Sequence, residues 1–218
     1  DIEDSFLKVI MGTEKKSRVM TDREKRLTAY HEAGHAIATR CLPTQDPVHT
    51  ISIIPRGRAG GFTMSLPQEE KFYASKNEML DDLIVLLGGR VAEKLTMDDI
   101  STGASNDIEQ ATKMARAMIT RYGMTDDFDM VALETVNNAY LGGDASLACS
   151  ERTAATVDDK VVEVVKQQHE KAKQMLIENR GKLDEIAKYL YEKETITGEE
   201  FMRILTAVPQ LPTGAVEQ

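Results

Sequence analysis

The stretch LTAYHEAGHAIATR, residues 27–40, carries two of the four histidines of this 218-residue chain. Thr21 and Glu24 form a capping-box pattern ahead of it, which predicts a helix that begins there and runs through the stretch. Residues four apart lie on the same face of a helix, one turn above the other. His31 and His35 are therefore predicted to direct their imidazole rings at one point.

Two imidazoles placed in this way can bind zinc at about 2.0–2.1 Å. Glu32 lies about 100° around the helix from His31, so its carboxylate is predicted to reach a zinc-bound water rather than the metal. Zinc lowers the pKa of that water toward about 7, and the carboxylate takes its proton as the water attacks a carbonyl. The same glutamate can pass the proton to the leaving amine.

The alternative is a surface helix with an incidental H-E-x-x-H pattern. The capped, uninterrupted helix favours the zinc site over that alternative. So do Ala33 and Gly34, whose small size is expected to leave room for a water or a substrate.

A catalytic zinc usually has three protein ligands, so one more is required. His49 and His169 are more simply explained as surface or packing residues, and the spacing of the two cysteines supports neither as a ligand. The remaining ligand type is a carboxylate.

The stretch DISTGASNDIEQAT, residues 99–112, is the strongest place to look for that carboxylate. A glycine-containing loop leads there into a predicted helix with Asp107 in its first turn. Ser105, Asn106 or Asp107 would equally serve as a helix cap. Glu93 on the preceding helix is a rival ligand, or a residue that orients a ligating histidine. The residues alone leave these alternatives open.

The remaining pattern predicts a mainly α fold with a small β-hairpin. Only 5% of residues are aromatic and 11 are Met, which is typical of a helical core packed by aliphatic and thioether side chains. Two β-rich runs, 48–55 and 61–66, are predicted to pair. One further helix is predicted to begin at the capping pattern of Ser75, and another to follow the loop 96–105 and end at Gly123. Three more are predicted over 157–179, over 183–191 and after Thr197.

Composition narrows the function classes. A formal net charge of −9 argues against a nucleic-acid-binding surface. No apolar run reaches the roughly 18 residues needed to cross a bilayer, and no signal peptide is expected. Two distant cysteines favour a reducing compartment over a disulfide scaffold.

Five segments, KKSRVM, YHEAGHA, DPVHTISIIPRG, GGRVAE and STGASNDIEQAT, together resemble the peptidase domain of the FtsH family of membrane-anchored AAA+ zinc metalloproteases. The resemblance runs from about residue 1 to residue 206. It implies one zinc per chain held by His31, His35 and Asp107, with Glu32 as catalytic base and Glu93 in a supporting role. The implied fold is a zincin-like helical domain with a small sheet beside the metal, followed by a C-terminal helical bundle.

The resemblance also implies a substrate site. Unfolded or membrane protein substrates would add as an extended strand to Gly60, Gly61, Phe62, Thr63 and Met64. Backbone pairing of this kind gives affinity with little demand on side-chain sequence.

The implied organisation is a homo-hexamer whose peptidase ring lies under an ATPase ring. Residues 1–20 would be the end of the ATPase module and its linker, 21–206 the peptidase domain and 207–218 a flexible tail. Within the peptidase domain, 21–123 would carry the metal, 124–150 would be a mobile loop and 151–206 the C-terminal helices. The chain has no G-x-x-x-x-G-K-[ST] loop, so ATP would act only through the missing module.

The full-length protein would lie in the bacterial inner membrane, with this domain on the cytoplasmic side. The fragment itself would be soluble, without membrane contact. A different class of function is a catalytically silent oligomerisation module, since the Val and Leu stripes between Val157 and Tyr191 are able to pack between subunits. A secreted metalloprotease is a poorer interpretation, because such enzymes tend to carry a Glu or a third His downstream.

Overall fold

The structure is a computed structural model, and it describes residues 20–56, 59–97, 99–136 and 145–207. Within these ranges it has six α-helices and five short strands, which confirms the mainly α prediction. In chain order they are α1 (Asp22–Cys41), β1 (Val48–Ser52), β2 (Phe62–Ser65), α2 (Lys76–Met97), α3 (Ser105–Thr120), β3 (Glu134–Val136), β4 (Ala145–Leu147), α4 (Glu151–Glu178), α5 (Arg180–Lys193), β5 (Thr195–Thr197) and α6 (Gly198–Thr206).

Helix α1 begins where the capping pattern predicts. The Thr21 hydroxyl accepts a hydrogen bond from the Glu24 amide at 3.2 Å, and the Glu24 carboxylate accepts from the Thr21 amide at 2.9 Å. The same reciprocal bonds start α2 at Ser75 and α6 at Thr197. Each cap satisfies amides that a helix leaves unpaired at its first turn.

Strands β1 and β2 form the predicted antiparallel hairpin, in which Ile51 pairs with Thr63. The other edge of β1 pairs with β5, where Ile51 lies opposite Ile196. The strand order is β2-β1-β5, so β2 is an edge strand of this sheet within the described residues. The sequence did not predict β5, since its three residues are too few to show alternation.

The two C-terminal helices start earlier than predicted. Ser150 caps α4, its hydroxyl accepting from the Thr153 amide at 3.3 Å, and α5 follows α4 after the single residue Asn179.

The apolar stripes of α4 and α5 face inward. One core joins α1, strands β1 and β5 and parts of α2, α4, α5 and α6, and a second joins α2, α3 and α4. Most of the large apolar residues proposed for subunit contact therefore pack within the chain.

The predicted loop 124–150 contains a short antiparallel ladder of β3 and β4, with Thr135 opposite Ser146. Part of that loop, 137–144, lies outside the described residues. So do the predicted linker up to residue 19 and the predicted tail from residue 208 onward. Among the described helices, none is both long enough and apolar enough to span a membrane.

Helices α1 and α2 approach each other through glycine. A Cβ atom added to Gly34 would lie 2.6 Å from the Gly88 carbonyl oxygen and 2.7 Å from the Ala92 Cβ. The expectation that Gly34 leaves room for water or substrate is therefore wrong, because the α2 backbone fills that space. Its small size serves helix packing.

We predict that Gly34→Ala lowers the free energy of unfolding by about 1–3 kcal/mol or more, since the backbones must separate to admit the methyl group. The matched control is Gly181→Ala in α5, where an added Cβ meets nothing within 4 Å. That control should be neutral or stabilising by up to about 1 kcal/mol. Urea denaturation of the two variants checks this, and equal stability would contradict the packing role of Gly34.

Candidate metal centre

Three side chains from two helices converge on one point. The Nε2 atoms of His31 and His35 are 2.9 Å apart, and Asp107 Oδ2 lies 3.3 Å from the first and 3.7 Å from the second. Among the described residues, these three make up the group of His, Cys, Asp and Glu side chains placed to hold a metal ion. Helix α1 supplies both histidines, and the first turn of α3 supplies the carboxylate.

Helix α2 orients both imidazole rings. His31 Nδ1 lies 2.8 Å from Glu93 Oε1, and His35 Nδ1 lies 2.8 Å from the Val85 carbonyl oxygen. Both partners are acceptors, so each Nδ1 carries the hydrogen and each neutral ring presents an Nε2 lone pair to the other. Two lone pairs and a carboxylate at one point favour a positive charge there. A proton on His31 or a metal cation satisfies that demand.

The donor set fits zinc. Tetrahedral zinc bonded at about 2.0–2.1 Å separates its ligand atoms by roughly 3.4 Å. The three observed separations, from 2.9 to 3.7 Å, bracket that distance. Two imidazoles and one carboxylate are also a ligand set found in catalytic zinc sites, where a fourth position stays open.

The two rings need clearance from α2, and Gly89 provides it. A Cβ atom at Gly89 would lie 2.5 Å from His35 Nε2 and 2.6 Å from His31 Nε2. The glycine pair in α2 therefore divides its roles: Gly88 packs against α1, and Gly89 leaves space for the donor atoms. The sequence showed the pair but not this division.

Glu93 lies behind the donor group rather than in it. Its carboxylate is fully buried and accepts a hydrogen bond from the Ser101 amide at 3.0 Å, with Arg90 Nη1 at 3.3 Å. Burial opposes ionisation of Glu93, but the His31 and Ser101 hydrogen bonds outweigh it and lower its pKa. The contact with His31 Nδ1 places Glu93 where a residue that orients a ligand is found.

Asp107 is not occupied as a helix cap. The N-cap of α3 is Ala104, which makes no side-chain capping hydrogen bond. Burial raises the pKa of Asp107, but hydrogen bonds that the His31 and His35 rings donate through Nε2 when protonated outweigh it and hold the pKa well below its ordinary value. For His31, burial lowers the pKa, and the bonds to Asp107 and Glu93 raise it to about 10. The site is therefore strongly negative around the imidazoles.

Glu32 stands beside the donor group in a different environment. It is 5% exposed, and burial raises its pKa while the nearby imidazoles oppose that rise. Its carboxylate oxygen Oε2 accepts a hydrogen bond from the Thr63 hydroxyl at 2.8 Å. A carboxylate with a raised pKa holds a proton more readily than an exposed glutamate does.

A cleft of about 800 Å³ joins these groups to the sheet. Its lining includes the three convergent donors and Glu32, together with Gly60, Gly61, Phe62 and Thr63. Met64, the last residue of the predicted substrate strand, does not line the cleft, although it pairs with Thr50 in the hairpin. The exposed edge of β2 therefore runs beside the donor group. His49 and His169 are not part of the group.

The helical fold and the convergent donors fit a zinc-dependent peptidase. Comparison with known proteins identifies the family. A model of peptidase family M41 matches residues 18–204. The chain belongs to that family.

The chain is 50% identical over 216 residues to an ATP-dependent zinc metalloprotease FtsH of Caldicellulosiruptor bescii, covering 97% of the chain and 35% of that protein. It is 51% identical over 206 residues to the FtsH of Clostridium perfringens, covering 94% of the chain and 29% of that protein. For the FtsH of Thermus thermophilus, identity is 44% over 209 residues, with coverage of 96% and 33%. The chain thus spans about a third of the length of these relatives.

We predict that Gly89→Ala weakens zinc binding at least tenfold, because the methyl group would occupy the space beside both Nε2 atoms. Competition with a chromophoric chelator measures the dissociation constant, and circular dichroism reports whether α2 persists. Gly181→Ala, remote from the site, should bind zinc as the wild type does. Unchanged zinc affinity in Gly89→Ala would show that the donors do not meet where the structure places them.

Proposed function

We propose that the chain is the zinc-dependent endopeptidase domain of a larger ATP-dependent protease and hydrolyses unfolded or misfolded polypeptides. The convergence of His31 Nε2, His35 Nε2 and Asp107 Oδ2 beside Glu32 carries this proposal. We assign the first three as ligands of one zinc ion and Glu32 as the catalytic base. Glu93 is then a residue that orients His31 and fixes its tautomer.

When bound, zinc supplies Lewis acidity that lowers the pKa of a water molecule toward about 7 and polarises the scissile carbonyl. Glu32 would act as the base that takes a proton from the attacking water through a carboxylate oxygen, and would then deliver that proton to the leaving amine nitrogen. The burial of Glu32 suits both steps, because burial raises its pKa and so makes the carboxylate a better proton acceptor than an exposed glutamate. Asp107 and Glu93 remain ionised and offset the positive charge at the imidazoles.

The exposed edge of β2 is the proposed substrate strand. An extended polypeptide that pairs with this edge would lie along the cleft that holds Glu32 and the donor group. Gly60 to Thr63 line that cleft, and Met64 continues the strand. Recognition through backbone hydrogen bonds suits an enzyme that acts on many sequences.

For the whole protein we infer a homo-hexamer in which an ATPase module feeds unfolded chains to this domain. The relatives are named as ATP-dependent, and the chain spans about a third of their length. In this proposal residues 1–20 link to the ATPase module, 21–206 form the peptidase and 207–218 form a tail. The full protein would be anchored in the bacterial inner membrane with this domain on the cytoplasmic side.

The competing proposal is an oligomerisation module without catalysis. It relied on the apolar stripes of the C-terminal helices. Val157, Val161, Ala172 and Leu176 are buried against other helices of the same chain, so these positions do not favour it. Val162 and Ile177 are exposed and remain available for subunit contact, and such contact is compatible with catalysis.

We predict that Glu32→Gln retains zinc and loses cleavage of an unfolded protein such as casein by at least about 100-fold, since the amide cannot accept the proton. Fluorescence release from labelled casein measures cleavage, and elemental analysis measures zinc. Glu170→Gln, at an exposed residue of α4 whose carboxylate pairs with Lys173, serves as the matched control. Full activity in Glu32→Gln would refute the assigned base.

We predict that Asp107→Ala lowers zinc affinity by at least 100-fold, because it removes a ligand. Glu93→Gln should lower affinity less, since the amide oxygen can still accept the hydrogen bond from His31 Nδ1. Zinc dissociation constants for both variants check the order. Normal zinc binding in Asp107→Ala together with loss in Glu93→Gln would reverse the ligand assignment.

A further inference from the structure

The edge strand and the proposed base are joined by one side chain. The Thr63 hydroxyl lies 2.8 Å from Glu32 Oε2 and 3.0 Å from the Glu32 backbone oxygen. A hydroxyl has a single hydrogen to donate, and a bond to a carboxylate is stronger than one to a neutral carbonyl. We therefore assign the hydroxyl hydrogen of Thr63 to the shorter contact, the one with Glu32 Oε2.

Within the described residues, Thr63 is the only side chain that hydrogen-bonds the Glu32 carboxylate. Glu32 is nearly fully buried, so a carboxylate oxygen there has little access to water in compensation. The torsions of a glutamate side chain leave its carboxylate several orientations. A single directed hydrogen bond in a buried site selects among them.

Two residues at the start of β2 lie against the Glu32 carboxylate: Gly61, which immediately precedes the strand, and Thr63 within it. A Cβ atom at Gly61 would lie 2.9 Å from Glu32 Oε1. Gly61 thus leaves space for one carboxylate oxygen, while Thr63 donates to the other.

We propose that Thr63 is a positioning residue for catalysis, whose hydroxyl holds the Glu32 carboxylate in the orientation that proton transfer requires. The proposal rests on the assignment of Glu32 as base. It gives β2 a second role beside substrate pairing. The strand that would pair with the substrate backbone also holds the Glu32 carboxylate, so one segment of the chain positions both the substrate and the base.

This role predicts a particular kinetic signature. Loss of the hydroxyl leaves the backbone edge of β2 and the three metal donors intact, so KM and zinc affinity stay unchanged. The carboxylate then spends less time in the productive orientation, and kcat falls by about tenfold, a part of the 10²- to 10⁴-fold that a positioned base contributes.

The test compares Thr63→Val, which keeps the β-branched shape and removes the hydroxyl, with Thr63→Ser, which restores it. Both are measured in the 218-residue chain with a quenched fluorogenic peptide for kcat and KM, chelator competition for zinc, and thermal unfolding for stability. Thr63→Ser should recover most of the wild-type kcat. Thr50→Val on the neighbouring strand is the control, since the Thr50 hydroxyl bonds to His49 Nδ1 at 2.8 Å and not to Glu32.

A fall in kcat for Thr63→Val that Thr63→Ser reverses, at constant KM and zinc affinity, supports the proposal. Wild-type kcat in Thr63→Val overturns it, and so does a fall that Thr63→Ser fails to reverse. A loss confined to KM or to zinc affinity assigns Thr63 to the strand or to the metal instead, and also overturns it. If Glu32→Gln itself keeps full activity, the assignment of the base has failed, which is a distinct result.

Discussion

The close antiparallel approach of α1 and α2 sets the positions of the two histidines in the candidate metal centre and of the α2 groups that contact them. Gly34 and Gly88 bring the two backbones together, and the residues of α2 that then face the histidines recur every four positions. Val85 accepts from His35, Gly89 leaves room for both donor nitrogens, and Glu93 accepts from His31. Residues spaced four apart on α2 therefore lie opposite the histidines that are spaced four apart on α1.

This register explains why a buried, charged centre is tolerated in a small domain. Burial alone would cost several kcal/mol for each isolated charge, and the groups here compensate one another. Glu93 is buried but meets His31, Ser101 and Arg90, and Asp107 faces both imidazoles. The arrangement leaves an excess of negative charge around two aligned nitrogens, which is the electrostatic condition that a divalent cation meets.

Local signals in the sequence predicted the elements whose start depends on neighbouring residues. The capping boxes at Thr21, Ser75 and Thr197 placed three helix starts, because their hydrogen bonds join residues only three apart. Strands β3, β4 and β5 were missed because each has only three residues, and β5 in addition pairs with a strand far away in the sequence. No periodicity can be read from so few positions.

The candidate site shows the same difference between features set by neighbouring residues and features set by distant ones. Helical spacing brought His31 and His35 together and placed Glu32 beside them, because one helix fixes all three. Asp107 comes from another helix, and the residues alone left it open between ligand and cap. Only three-dimensional packing shows that its carboxylate faces the imidazoles while Ala104 occupies the cap. Gly89 and Thr63 gave no separate signal, since their roles depend on what lies opposite them.

The position of β5 in the sheet has a consequence for the order in which the nascent chain folds. The central strand β1 is flanked on one side by its own hairpin and on the other by residues almost 150 positions further along the chain. Helix α5, from the same distal region, also packs on α1, where Tyr30 donates to Asp184 at 2.9 Å. A nascent chain still on the ribosome carries the histidines and the aspartate long before it carries these supports. The sheet beside Glu32 is thus completed only after residues 195–197 have been synthesised, so the site gains this support long after its own residues are translated.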